Sequence, residues 1–147
     1  ISWKSPVVNP DRSSNYTRIE EWSPLFALPA QFINLQCGDT GDDLAWAERQ
    51  TGVTVHDFDD IDLFNDLDDV AALIAALDLG IAVNTAVAKI SAAIGTPTWV
   101  IAWRQSPWSN FLLFPRGPEV TRFERDTGES WNAVFASMAG QLRNMTE

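Results

Sequence analysis

A side-chain amide, a hydroxyl and an amine occur together at Asn84, Thr85 and Lys89. The first two end an apolar run and lead directly into an alanine-rich segment that is typical of a helix. The first turn of a helix carries unpaired N–H groups and a partial positive charge, here on Ala86 and Val87. Thr85 and Lys89 are four positions apart, so they share a helix face and the amine can reach back towards the helix start. This pattern predicts a site for a small anion such as a phosphate.

An ordinary helix cap formed by Asn84 or Thr85 is the alternative explanation of the same junction. The stretch contains no glycine, so it is neither a P-loop nor a dinucleotide fingerprint. Lys89 argues for the functional interpretation, because a lysine near a helix N-terminus opposes the macrodipole. The opposition costs about 0.3–1 kcal/mol unless an anion offsets it.

Other residues with reactive side chains give weaker evidence for a functional site. Residues 56–69 contain Asp-x-Asp three times but lack the glycine and the distal glutamate of an EF-hand. We interpret the stretch as a solvated acidic loop, and we expect no metal site and no cofactor. The single histidine, His56, has no nucleophile partner in the sequence, and Cys37 is interpreted as a small buried residue. Gln36, at the end of a predicted strand, is a candidate ligand contact.

Composition limits the classes of partner. The chain has 147 residues, 46% of them apolar, which suits one domain, residues 1–147, with one core. The formal charge of −10 disfavours nucleic acid, and we find no apolar run of the ~18–20 residues that would span a membrane. Cys37 is the only cysteine, so we expect a cytoplasmic protein. No Lys or Arg occurs from residue 50 to residue 88, so an anion site must use Lys4, Arg12, Lys89 or the later arginines.

The periodicity predicts strands that alternate with helices. Predicted strands are 1–3, 31–37, 53–58, 79–83 and 97–103, with a short one near 120–123; predicted helices are 18–28, 40–52, 65–78, 85–95 and 128–142. Thr17, Asn65 or Asp66 and Gly52 are the expected helix caps, and Leu67 is expected on the buried face of helix 65–78. The alternation indicates an α/β fold of the Rossmann-like, doubly wound type, with a mainly parallel sheet and helices on both faces.

This fold gives the anion site a location. With strand order 3-2-1-4-5, the order reverses between the first and fourth strands, and ligands bind in the crevice at that point. The crevice would be flanked by residues 4–17, which include Lys4 and Arg12, and by residues 84–89. The junction at Asn84 and Thr85 is therefore expected at the binding crevice.

Several stretches together resemble a known family over nearly the whole chain. They are "ISWKS", "DRSSNYTRIEEWSPLFALP", "FINLQCGD", "DLDDVAALIAALDLGIAVNTAVAKISAAIGTPTWVI" and "PW". They resemble the C-terminal half of GT-B glycosyltransferases, in particular the glycosyltransferase-like domain that follows tetratricopeptide repeats in bacterial proteins. Heptosyltransferases and O-linked GlcNAc transferases are its wider relatives.

The resemblance implies a domain that binds a nucleotide diphosphate sugar without a metal. It implies an N-terminal partner domain that supplies the acceptor and much of the catalytic apparatus, so we expect this chain to be a fragment that transfers no sugar alone. The implied nucleotide-diphosphate-binding residues are Lys4, Arg12, Asn15, Tyr16, Thr17, Gln36, Asn84, Thr85, Ala86, Val87 and Lys89; no catalytic residue is assigned. Trp103 and Trp108 lie where a sugar or base could stack, with a packed loop as the alternative.

The chain differs from heptosyltransferase-like sequences at two positions, and these differences keep another function open. Heptosyltransferase-like sequences often carry Asp-Thr and a His where this chain has Asn84, Thr85 and Lys89. Asn84 keeps the hydrogen-bonding ability but not the charge. The chain is therefore either a donor-binding half or a non-catalytic interaction module of the same fold. A different doubly wound enzyme that binds another anion in the same crevice is the third alternative.

Overall fold

The structure is a computed structural model, and it describes residues 1–6, 13, 16–104 and 119–146. Among them the strands are β1 (Phe32–Ile33), β2 (Val55–His56), β3 (Gly80–Val83), β4 (Thr98–Trp103) and β5 (Val120–Arg125). The α-helices are α1 (Ser23–Phe26), α2 (Gly41–Thr51), α3 (Leu67–Ala75), α4 (Ala86–Ala93) and α5 (Trp131–Thr146), and a 3₁₀ turn (Ile19–Trp22) precedes α1.

The described strands all pair in parallel, in the orders β1-β2 and β3-β4-β5. Residues 1–3, the central segment, join the two groups. The amide of Leu35 donates to the carbonyl of Ile1 at 2.9 Å, and on the other side Ser2 donates to Ile81 and accepts from Val83, both at 3.0 Å. The resulting order is β2-β1-central segment-β3-β4-β5. This confirms the α/β prediction and places residues 1–3 at the centre of the parallel array, as the crevice argument requires.

Local sequence signals account for the start of α3 and the end of α2. Asp66 caps α3 by accepting from the amide of Asp69 at 3.1 Å, and Gly52 ends α2 with a φ of 75°. The predicted helix 18–28 is instead a 3₁₀ turn followed by α1, because Pro24 has no N–H and tends to start a helix rather than continue one.

Two predictions about side chains in these helices were wrong. Arg18, not Thr17, is the N-cap residue of the 3₁₀ turn, because the hydroxyl of Thr17 is buried and bonded to the carbonyl of Trp3 at 2.9 Å. Leu67 is 56% exposed, although Val70 and Ile74 on the same helix are buried. Leu67 is the first residue of α3, and the buried face of the helix begins one turn later, at Val70.

The start of β3 packs closely against α4. A Cβ added to Gly80 would lie 2.5 Å from the Oγ of Ser91 on α4. That oxygen is 2.7 Å from the hydroxyl of Thr98, which itself donates to the carbonyl of Thr96 at 2.7 Å. Ser91 is therefore the donor in the first bond, and it has no free space to move into without breaking that buried bond. The missing side chain of Gly80 allows β3 to approach α4 and so helps to set the position of the crevice.

We expect Gly80→Ala to lower the free energy of unfolding by about 1–3 kcal/mol, because the methyl group displaces the Ser91 hydroxyl. Urea denaturation would measure the change. Gly140→Ala is the matched control: position 140 is on α5 with no atom within 4 Å of an added Cβ, so the same change there should stabilise the helix by about 1 kcal/mol. Equal effects at the two glycines would contradict the close-approach argument.

Candidate functional site

The junction between β3 and α4 lies at the carboxyl end of the sheet, beside the central segment. β3 ends at Val83, Thr85 is the N-cap residue of α4 with extended backbone angles (φ −119°, ψ −172°), and the helix begins at Ala86. A parallel strand therefore passes into a helix through only two residues. The geometry predicted for Asn84, Thr85 and Lys89 is confirmed, since they lie at the point where the strand order reverses.

The first turn of α4 has no side-chain cap among the described residues. The hydroxyl of Thr85 donates to the carbonyl of Val83 at 3.3 Å, and it accepts no bond from the helix amides. The first hydrogen bond from the helix interior runs from the amide of Lys89 to the carbonyl of Thr85 at 3.4 Å. The amides of Ala86 and Val87 precede it and are left for a ligand or solvent. Ala86 is exposed and Val87 is half-buried, so the turn is open to an approaching anion.

Asn84 has an unusual environment for a polar side chain. Its Oδ1 atom is buried and has no hydrogen-bond partner among the described residues. An unpaired buried acceptor costs about 1–3 kcal/mol, and such groups recur at functional sites. A ligand that carries both an anionic group and a hydroxyl or N–H donor could pair with this side chain and with the helix amides.

Lys89 supplies the positive charge of the junction. Its side chain is exposed on α4, and no ion pair joins it to another residue in the described ranges. Its charge lies one turn after the positive end of the helix dipole, which is unfavourable in the absence of an anion. Lys89 is thus available to a ligand.

Lys4 is placed near the crevice by the central segment, but it already has a counter-ion. Its Nζ lies 2.5 Å from Oδ2 of Asp43 in the first turn of α2. The same oxygen accepts from the indole N–H of Trp3 at 2.8 Å. A phosphate would have to compete with Asp43 for the lysine, so Lys4 contributes less net charge to the crevice than the sequence suggested.

Gln36 has a structural role that sequence reasoning missed. Its Oε1 accepts from the hydroxyl of Ser2 at 3.1 Å and from the amides of Trp3 and Lys4 at 3.1 and 2.9 Å. Its Nε2 donates to the carbonyl of Cys37 at 3.1 Å, and the residue is 2% exposed. All its polar atoms are therefore used by the fold. No sequence signal could have revealed the bonds to Oε1, because their donors are more than 30 positions away.

The other candidates from the first loop and from β4 are also engaged within the fold. Thr17 accepts from the indole N–H of Trp22 at 2.9 Å and is 3% exposed. Tyr16 is half-buried and packs against the main core. Trp103 ends β4, and its indole donates to the hydroxyl of Thr127 at 3.1 Å. Three further candidates, Arg12, Asn15 and Trp108, lie outside the described residues.

The remaining reactive side chains form no catalytic group in the part of the chain that the structure describes. His56 is exposed at the end of β2. Partial burial raises the pKa of the Cys37 thiol, which disfavours the nucleophilic thiolate. Within the described ranges, no set of three or more His, Cys, Asp or Glu side chains is arranged to hold a metal ion. None of the described helices has the length and apolar character that crossing a membrane requires.

Comparisons with known proteins give one relative. The chain is 34% identical over 147 residues to Protein FlbA of Caulobacter vibrioides (strain ATCC 19089 / CIP 103742 / CB 15). The alignment covers 98% of this chain but 24% of FlbA, so the chain spans about a quarter of the length of that relative. No family model matches the chain, and no solved structure matches it.

Proposed function

We propose that the chain is the donor-binding half of a GT-B glycosyltransferase and holds the diphosphate of a nucleotide sugar at the N-terminus of α4. The observation that carries the proposal is the β3–α4 junction. In the part of the chain that the structure describes, it has a helix start without a side-chain cap, an Asn84 oxygen without a hydrogen-bond partner and a Lys89 without a counter-ion, at the reversal of strand order. The sequence resemblance to GT-B C-terminal halves supplies the ligand class.

The chemistry follows from where charge develops in glycosyl transfer. When the sugar leaves, the nucleoside diphosphate gains negative charge, and fixed N–H dipoles and a cation stabilise that charge. The amides of Ala86 and Val87, the hydroxyl of Thr85 and the amine of Lys89 are suited to this role. The buried oxygen of Asn84 could accept from a hydroxyl of the ligand only after its side chain turns towards the crevice. No metal is needed in this arrangement.

The proposal leaves the acceptor and the catalytic groups to another part of the protein. None of the described residues forms a base–nucleophile pair, so we expect this chain alone to transfer no sugar. We also propose a cytoplasmic location, on the basis of the lone Cys37.

A non-catalytic interaction module with a decayed nucleotide site is the second candidate. The ion pair of Lys4 with Asp43 and the internal hydrogen bonds of Gln36 and Thr17 favour it, because three expected ligand contacts are occupied by the chain itself. Titration with nucleoside diphosphates distinguishes the two candidates: the donor half binds one of them, and the module binds none.

Substituting Lys89 tests the role of the α4 cation. We expect Lys89→Ala to weaken nucleoside diphosphate binding about three- to tenfold, because a charge-assisted contact is lost. Removing the amine from the positive end of the helix should leave the thermal stability unchanged or raise it by about 0.3–1 kcal/mol. Isothermal titration and thermal melts would measure both effects.

Arg49→Ala is the matched control for that variant. Arg49 is an exposed cation in the last turn of α2, where its charge favours the helix dipole. The control should leave the affinity unchanged and slightly lower the stability. If both variants bind the nucleotide as tightly as the original chain, Lys89 has no part in the site.

A further inference from the structure

Exposed apolar side chains are concentrated in one stretch of the chain, the loop that follows β2 and the start of α3. Five large hydrophobic residues are exposed in the described ranges, and three of them lie between positions 58 and 67. They are Phe58, Phe64 and Leu67, which are 41%, 67% and 56% exposed. Phe58 and Phe64 are in the loop between β2 and α3, and Leu67 begins α3. Clustered exposed apolar groups mark interaction surfaces more often than isolated ones do.

Hydrogen bonds to Asp62 order the backbone of the loop around Phe64. Asp62 accepts from the amides of Phe64 and Asn65 at 3.0 and 2.9 Å, and from the side-chain amide of Asn65 at 2.8 Å. The bond from the Asn65 side chain, and then the two backbone bonds, lower the pKa of Asp62, so the carboxylate stays ionised and keeps the turn closed. A partner would therefore meet a turn whose backbone is already ordered, which reduces the entropy lost on binding.

A cleft lies directly beside the two phenylalanines. It has a volume of about 220 Å³ and is bounded by the residues that follow β1 and β2, including Phe58, Phe64 and Asp57. Asp57 is fixed at its edge by the side-chain N–H of Asn34, at 2.9 Å. The surface thus offers a concave feature with aromatic and carboxylate walls, into which a side chain of a partner could extend.

The charge of this surface is uniformly negative. All seven aspartates from position 57 to position 69 are exposed, and none forms an ion pair with a described residue. The sequence has no Lys or Arg from residue 50 to residue 88. We call Phe58, Phe64, Leu67 and these aspartates the acidic aromatic surface.

This charge decides among the candidate occupants. A second copy of the chain carries a formal charge of −10 and would bring the same aspartates against this surface, which is unfavourable. Nucleic acids and anionic membranes are repelled for the same reason. We propose that the acidic aromatic surface binds a cationic amphipathic segment of another protein. Apolar side chains of that segment cover Phe58, Phe64 and Leu67, and its Lys or Arg residues pair with the aspartates.

The proposal predicts that the affinity for the partner segment depends on both the aromatic side chains and the aspartates of this surface. Arginine can pair with a carboxylate and stack on an exposed phenylalanine at the same time. Long-range attraction speeds the encounter and weakens as salt rises, whereas the apolar contact persists. Ile61 and Leu63 of the loop pack in the same hydrophobic cluster as Val87 of α4. The two sites are tested separately because the variants change exposed residues on different elements, Phe64 in the loop and Lys89 on α4.

Fluorescence anisotropy on the full 147-residue chain would test the proposal. The probe is a labelled peptide with Lys and Arg on one helical face and Leu and Trp on the other. We expect saturable binding that Phe64→Ala weakens about tenfold, as for an aromatic hot spot. Asp59→Asn, Asp60→Asn and Asp68→Asn, made together, should weaken it by a similar factor at low salt. These three side chains make no hydrogen bond within the described residues, so the fold should be unaffected.

Matched controls separate this surface from general attraction to an acidic protein. Glu20→Gln, Asp42→Asn and Asp78→Asn together remove the same charge elsewhere, and Met145→Ala removes another exposed apolar side chain. Both controls should bind the peptide as the original chain does. Three results would overturn the proposal: no binding, equal weakening by the control triple, or equally tight binding of a peptide whose Leu and Trp are replaced by Ser. Phe64-dependent dimerisation in sedimentation would also overturn it, in favour of a second copy.

Discussion

Gln36→Leu is expected to lower the free energy of unfolding by about 2–5 kcal/mol, because it removes the acceptor of two backbone N–H groups and one hydroxyl. The donors belong to Ser2, Trp3 and Lys4, at and just after the central segment that joins the two groups of strands. Leucine fills a similar volume but leaves these donors unpaired, each at a cost of about 1–3 kcal/mol when it is buried.

Urea denaturation followed by tryptophan fluorescence would measure this change. Gln50→Leu is the matched control, since Gln50 is exposed in the last turn of α2 and its replacement should alter stability by less than about 0.5 kcal/mol. A Gln36→Leu variant as stable as the control variant would contradict the role assigned to Gln36.

The alternation of strands and helices could be predicted because it depends on local periodicity. The cap at Asp66, the end of α2 at Gly52 and the passage from Val83 into α4 each depend on a few neighbouring residues, and each was found at its predicted place. The position of residues 1–3 in the sheet followed from the topological rule for doubly wound folds.

Contacts between residues that are distant in the sequence could not be predicted. The counter-ion of Lys4 is Asp43, 39 positions away, and the hydrogen bonds of Gln36 reach back 32 to 34 positions. No local pattern contains these pairings, so the sequence analysis considered Lys4 and Gln36 as ligand contacts and did not predict their partners within the fold. Leu67 was assigned to the core because helical spacing does not show at which turn of a helix the buried face begins.

Ala86→Glu is expected to weaken nucleoside diphosphate binding at least about 100-fold, because it places a carboxylate at the helix start beside the proposed phosphates. Ala86 is exposed and is the first residue of α4, so the new side chain has space. The same charge should raise the stability of the chain by about 0.3–1 kcal/mol, since an anion at a helix N-terminus is favourable. Loss of binding with a gain in stability cannot be explained by damage to the fold.

Two control variants show whether the loss of affinity depends on the charge and on its position at the helix start. Ala86→Gln has a side chain of the same length without the charge and should keep most of the affinity. Ala93→Glu adds the same charge at the exposed last residue of α4, and it should keep the affinity while slightly lowering the stability. Titration calorimetry and thermal melts of the three variants would measure these effects; equal losses of affinity in all three would rule out a site at the helix start.

The most direct test of the proposed function is calorimetric titration of the 147-residue chain with UDP, GDP and ADP, repeated with Ala86→Glu. The donor-binding proposal predicts that one of the three nucleotides binds saturably to the original chain and that Ala86→Glu abolishes this binding. Absence of binding by all three nucleotides would contradict the proposal and favour the interaction module. Binding that Ala86→Glu leaves unchanged would show that the nucleotide does not occupy the junction of β3 and α4.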